Sequence, residues 1–265
     1  MRTGVRKLAP FEAKSIFIAR AWETVWLMLT RENLQNGWLD RMTRNARAAG
    51  DTTRIRTEAE LAACRASALA GHAPGQDLWL FAYGSLIWNP AFHFAERRQG
   101  CIWGYHRRFC LWTNLGRGTV QRPGLMLGLD RGGSCRGVLY RIAADLVEEE
   151  LTLVWRREMI TAAYRPTWVQ GRTSSGPVQA LTFTINRAHP RYAGKLGEER
   201  VVETLATAAG PLGPCCDYLF NTHRHLAELA IHDPQLGRLC AAVRDRQAAA
   251  PAQLANSMAP ATTGP

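Results

Sequence analysis

The apolar positions of this chain keep two rhythms. Between residues 77 and 185 they come mainly in short runs of aromatic and branched side chains, while at 145–159 and beyond 195 they recur every three or four residues. Residues 78–83 (LWLFAY) have the continuous apolar character of a buried strand, which breaks at Tyr83-Gly84-Ser85 and resumes as Leu86-Ile87-Trp88 before Asn89-Pro90. Residues 100–113 carry Trp103, Tyr105, Phe109 and Trp112 and read as a long strand covered on both faces. The runs 125–129 and 137–142 predict a hairpin across Asp130-Arg131-Gly132-Gly133. Those at 164–169 and 178–185 predict a second strand pair joined by 171–177. Helical spacing marks 145–159, 196–209, 218–230 and 236–246, with Gly210-Pro211 and His232-Asp233-Pro234 as stops. Residues 33–73 are rich in Arg and Ala and predict one or two helices or loops on the outside of the core. From Gln247 onward nothing is left to bury, so a disordered tail is expected. Neighbouring strand pairs with helices gathered mostly at the end make an α+β domain.

Two stretches carry candidate chemistry. In the helix at 145–159 (DLVEEELTLVWRREM), Asp145 is expected as N-cap, with Glu148 completing a capping box. Val147, Leu151, Val154 and Trp155 form its apolar stripe, and one further turn from Val154 lands on Glu158. The wheel places Glu149, Glu150, Arg156 and Arg157 in water. A carboxylate on the buried stripe is costly unless it is paired or used, and burial raises its pKa toward the range of proton transfer near neutral pH. Two readings stay open: a general base, or a Glu paired with Arg157 at a helix end. The other stretch is the turn at Tyr83-Gly84-Ser85, whose main-chain N–H groups suit a carboxylate or a developing oxyanion. A plain structural turn is its alternative.

Composition narrows the field. The chain has 265 residues, 46% of them apolar, with nine Trp, which is enough for one good core. No run of 18 apolar residues suggests a membrane span, and 15–29 is interrupted by Arg20 and Glu23, unlike a secretory signal. The net charge of +11 is carried almost wholly by Arg, with Lys at positions 7, 14 and 195 alone. Scattered pairs such as Arg97-Arg98 and Arg107-Arg108 make a mildly basic surface suited to a small anion, without the interleaved aromatics of a nucleic-acid patch. Seven Cys in irregular spacing and without a CxxC predict reduced thiols in a cytosol. His223 and His225 lie near Cys215 and Cys216, but two residues apart on a helix they face different ways, so no metal is expected.

Taken together, YGSLIWNP at 83–90, YHRRFCLW at 105–112, GRGT at 116–119, PGLMLGL at 123–129, GVLYRI at 137–142, LVWRREM at 153–159, YRPTWV at 164–169 and AAGPLGPCCDYLF at 208–220 resemble the bacterial ChaC-like γ-glutamylcyclotransferases. The resemblance implies a small, mixed or antiparallel, barrel-like sheet with surrounding helices over 77–246. An N-terminal extension at 1–76 would precede it and a tail at 247–265 follow. It also implies that Met28 begins the protein and that 1–27 are an upstream extension. The implied activity is a lyase that cuts glutathione into 5-oxoproline and cysteinylglycine, with no cofactor and in a cytoplasmic monomer. Glu158 matches the catalytic Glu of the family, Ala82, Tyr83, Gly84, Ser85 and Leu86 would hold the γ-glutamyl end, and Tyr164 and Tyr218 would line the pocket. Arg108 would meet the glycyl carboxylate or pair with an acidic neighbour. Activity on other γ-glutamyl peptides or amines, or a silent binding role, stays open beside the glutathione reading.

Overall fold

The computed structural model describes residues 29–257, so the expectations for 1–27 lie outside the described part. Five strands close into a barrel: β1 (Leu78–Ala82), β2 (Glu96–Thr113), β3 (Gly124–Ile142), β4 (Tyr164–Thr173) and β5 (Gly176–Ile185), in the order β1-β3-β2-β4-β5. Antiparallel ladders join β1 to β3, β2 to β3 and β4 to β5. The parallel pairing of Trp79 with Ala180 and Leu80 with Leu181 shuts the barrel. Closure leaves no long edge strand exposed. The helices are α1 (Arg31–Gln35), α2 (Trp38–Ala48), α3 (Glu58–Leu69), α4 (Val147–Glu158), α5 (Glu198–Thr207), α6 (Cys215–Glu228) and α7 (Pro234–Ser257), with a two-stranded ribbon of β6 (Ala209–Gly210) and β7 (Gly213–Pro214) between α5 and α6. The expected α+β barrel with surrounding helices is therefore what the chain forms.

The hairpin expected across 130–133 is not one. Residues 124–142 are a single strand that pairs with β2 from Thr113↔Gly124 to Glu96↔Arg141, and the hairpin loop is 114–123. The misread signal was the Gly132-Gly133 pair. Both glycines have positive φ, at 98° and 69°, opposite Gly104 at 83°, where the register slips between Trp103 and Tyr105. Glycine lets both strands bend there without separating, as in a β-bulge. Trp103 sits at that bend and is 56% exposed, so β2 is not covered on both faces along its whole length.

The start of α4 also differs from expectation. A short 3-10 turn (Ala144–Leu146) precedes it, and the N-cap is Leu146, whose apolar side chain cannot cap, while Glu148 accepts from Arg65 of α3 (Nε to Oε1, 3.1 Å). Glu150, expected in water, is fully buried and bonds Arg31 and the main-chain N–H of His93 (3.0 Å). The reason is that residues 29–76 do not simply coat the outside. Arg31 and Arg65 reach the acidic first turn of α4, where the helix dipole also favours negative charge. The main-chain N–H of Arg56 donates to Ile160 O at 2.8 Å.

The last helix spans Pro234–Ser257. The alanine run that follows Gln247 favours it, alanine being the best helix-forming residue.

Candidate active site

Helix α4 packs its stripe on the barrel. Trp155 is fully buried with its ring edge-on to Phe183 at 5.3 Å, and Leu151 and Val154 are buried beside it. The stripe carries Glu158, the last residue of the helix, to the mouth of the barrel, where its side chain keeps 14% exposure. Its pKa is pushed up from the usual carboxylate value by burial, which outweighs the opposing pull of the Arg157 charge and hydrogen bond. Arg157 Nε lies 3.1 Å from Glu158 Oε1. Of the two readings left open for Glu158, the pairing with Arg157 is present, and the side chain also lines a cavity.

Arg157 itself corrects the helical wheel. It was expected in water and is 5% exposed, donating to the main-chain oxygen of Asn89 and keeping Nη2 buried without an acceptor. At the last turn of α4 the side chain meets the segment after β1 instead of solvent, and no local sequence signal marks that.

The turn after β1 faces Glu158 across a cavity of about 170 Å³. Residues Ser85–Ile87 form a 3-10 turn in which Ile87 N bonds Gly84 O and Trp88 N bonds Ser85 O, at 2.9 and 3.2 Å. The N–H groups of Gly84 and Leu86 donate to no main-chain carbonyl among the described residues. Gly84 is required here by close approach, since a Cβ at that position would stand 2.8 Å from the Tyr218 hydroxyl. Arg107, read from the sequence as surface charge, is 6% exposed and ties down the turn by donating from Nε to Tyr83 O at 2.8 Å, with Asp233 on its Nη1 at 2.6 Å.

Tyr83, Gly84, Ser85, Leu86, Glu158, Tyr164 and Tyr218 all line this cavity, so the fold brings together residues far apart in sequence. Ala82 does not. It is fully buried at the end of β1 and lies behind the turn. Tyr83 OH donates to Phe183 O at 2.9 Å and Tyr164 OH to Leu127 O at 2.7 Å, so both hydroxyl protons are engaged inside the barrel wall. Tyr218 instead accepts the main-chain N–H of Ser85 and also bonds the Ser85 hydroxyl. Burial raises the pKa of all three phenols and keeps them protonated. Arg108 pairs with Asp130 (3.4 Å) and lies outside the cavity wall, which settles its two readings in favour of pairing.

Sequence reasoning missed four charged residues of the wall: Arg117, Arg157, Arg191 and Asp217. Arg117 is 5% exposed and donates to Pro214 O at 2.9 Å. Burial raises the Asp217 carboxyl against the pull of Arg117. Arg191 holds its main chain in place through Trp112 N (2.9 Å to Arg191 O), while its Nε is buried without an acceptor. Leu29, Trp38 and Met42 close the cavity from the N-terminal segment, which places part of the site before the domain boundary drawn at residue 77. All seven cysteines are free. Among the described residues no cluster of metal-ligating side chains occurs, and no helix is long and apolar enough to cross a membrane.

Comparison with known proteins is concordant. A family model described as ChaC-like protein matches residues 78–246. The glutathione-specific γ-glutamylcyclotransferase of Escherichia coli (strain K12) is 38% identical over 218 residues, which cover 82% of this chain and 93% of that protein. Glutathione-specific γ-glutamylcyclotransferase 1 of Mus musculus is 32% identical over 156 residues, 57% of this chain and 70% of that one. A crystal structure of a yeast γ-glutamyl cyclotransferase specific to glutathione superposes with a TM-score of 0.58 at 20% identity, over 64% of this chain and 96% of that chain, and shares the fold.

Proposed function

Because this chain belongs to the ChaC-like family, we propose that it is a glutathione-specific γ-glutamylcyclotransferase, a lyase that converts glutathione into 5-oxo-L-proline and L-cysteinylglycine without water. The observation that carries the chemistry is Glu158, a carboxylate of raised pKa sharing one cavity with the main-chain N–H groups of Gly84 and Leu86, which donate to no main-chain carbonyl among the described residues.

The reaction asks little of a nucleophile. The α-amine of the γ-glutamyl group attacks the side-chain carbonyl of the same group and closes a five-membered ring, so most of the barrier falls through holding the substrate folded. Glu158 takes a proton from the amine as its nitrogen bonds to the carbonyl carbon. The oxygen of that carbonyl becomes an oxyanion, met by N–H groups of the turn and by the Tyr218 hydroxyl. When the carbonyl re-forms, the bond to the cysteinyl nitrogen breaks and Glu158 returns the proton to the departing amine. Burial serves both halves: a carboxylate of raised pKa is a stronger base than one in water, while the Arg157 charge opposes that rise and favours the ionised form. No cofactor enters this scheme, and the substrate is the sole partner it requires. The free thiols support a reducing, cytoplasmic setting.

Product analysis with glutathione and with γ-glutamyl-alanine tests the substrate. Release of 5-oxoproline from glutathione but not from the dipeptide is expected. Equal rates on both would replace the reading with that of a general γ-glutamyl cyclotransferase.

A further inference from the structure

The cavity wall contains a cation that the reaction scheme leaves idle. Arg191 follows β5 in the loop leading to α5 and lines the same cavity as Glu158 and Tyr164. Its main chain is fixed, with Arg191 N on His189 Nδ1 at 3.2 Å and Arg191 O under Trp112 N at 2.9 Å. Its guanidinium makes no hydrogen bond or ion pair among the described residues, and Nε is shut away from solvent with no acceptor. A buried guanidinium N–H without a partner costs free energy, so a native structure that retains one holds it for something.

The other arginines of the wall are already occupied. Arg157 is committed to Glu158 and Asn89, and Arg117 to Pro214. Asp51 lies near enough for its charge to act on Arg191, but the two form no ion pair. Glutathione brings two carboxylates. One belongs to the γ-glutamyl end, whose reacting carbonyl must sit between Glu158 and the turn, and the other ends the glycine. Building on the glutathione reading above, we infer that Arg191 binds the glycine carboxylate of the substrate and thereby makes the enzyme select the whole tripeptide over shorter γ-glutamyl compounds. A planar guanidinium fork matches a carboxylate in a two-bond contact, and such charge-assisted pairs are the strong ones.

The test crosses two proteins with two substrates: wild type and Arg191→Gln, glutathione and its glycine monoethyl ester. Wild type is expected to turn over the ester with a kcat/KM about 10- to 100-fold below that for glutathione. Arg191→Gln should lose about the same factor on glutathione, through KM with kcat within about threefold, and should lose almost nothing on the ester. Arg191→Lys should recover part of the loss. No protein hydrogen bond of the guanidinium is removed, so the melting temperature should stay within about 2 °C. Equal losses on both substrates would assign Arg191 a structural role, such as a latent pair with Asp51, and would overturn the inference; so would an unchanged KM for glutathione or a wild type indifferent to the ester. If wild type releases no 5-oxoproline from glutathione at all, the failure lies in the reading beneath this one.

Discussion

Glu158 and its immediate neighbour set each other's protonation, and the direction can be worked out. Burial raises the Glu158 pKa and Arg157 lowers it, so the base is ionised above its folded pKa and lost below it. kcat/KM should therefore fall on the acid side with a midpoint above 4.5, the ordinary glutamate value. Arg157→Gln removes the lowering influence, and the acid limb of the pH profile should move to higher pH; a limb that stays put or moves down would contradict the pairing. A second residue-scale prediction concerns Gly84. Gly84→Ala puts a methyl group 2.8 Å from the Tyr218 hydroxyl, an overpacking expected to cost about 1–3 kcal/mol in urea unfolding. Adding Tyr218→Phe should restore most of that stability without restoring turnover, because the donor goes with the hydroxyl. At this scale the sequence was informative wherever an anomaly was local. A carboxylate continuing an apolar stripe can be seen in a string of letters, as can a glycine between two strand-like runs. Arg107, Arg157 and Arg191 could not, because an arginine buried by a distant element looks like one on the surface until that element is placed.

Elements bring the scattered parts together. Helix α4 ends at the barrel mouth because its acidic first turn is clamped by arginines from α1 and α3, while its stripe packs on Phe183 of β5. Two neighbouring glutamates separate structural from decorative contacts. Glu150 is fully buried and joins Arg31 to the His93 main chain, whereas Glu149 is 57% exposed and touches the same Arg31. Glu150→Ala should cost about 3–5 kcal/mol by leaving buried polar groups unpaired. Glu149→Ala should cost under about 1 kcal/mol, as exposed pairs do. Comparable losses in the two variants would refute the clamp. The helical wheel could not distinguish these two residues, since it knows the helix but not what covers its first turn. Strands suffered the reverse problem at Gly132-Gly133, where a glycine pair that often makes a turn instead bends a strand whose long partner carries its own glycine at the same level.

For the molecule as a whole, the order of elements and the barrel were legible because eight sequence blocks of one family follow one another in register, and closure of five strands is the arrangement that buries their apolar faces together. The N-terminal segment was less legible. Its Arg- and Ala-rich composition predicts helices or loops on the outside of the core, yet Leu29, Trp38 and Met42 line the cavity. A deletion of residues 1–57 should accordingly raise the KM for glutathione or abolish folding, and wild-type kinetics from that truncated chain would show the roof to be dispensable.

The central claim is that one buried carboxylate moves a proton while glutathione closes on itself, with water taking no part. Its most direct test is single-turnover reaction with glutathione in water enriched in oxygen-18, for wild type and Glu158→Gln. The expected result is unlabelled 5-oxoproline and cysteinylglycine in equal amounts from wild type, and a rate lower by about 10²- to 10⁴-fold in the variant. Labelled glutamate as the product, or a Glu158→Gln variant with wild-type turnover, would contradict it.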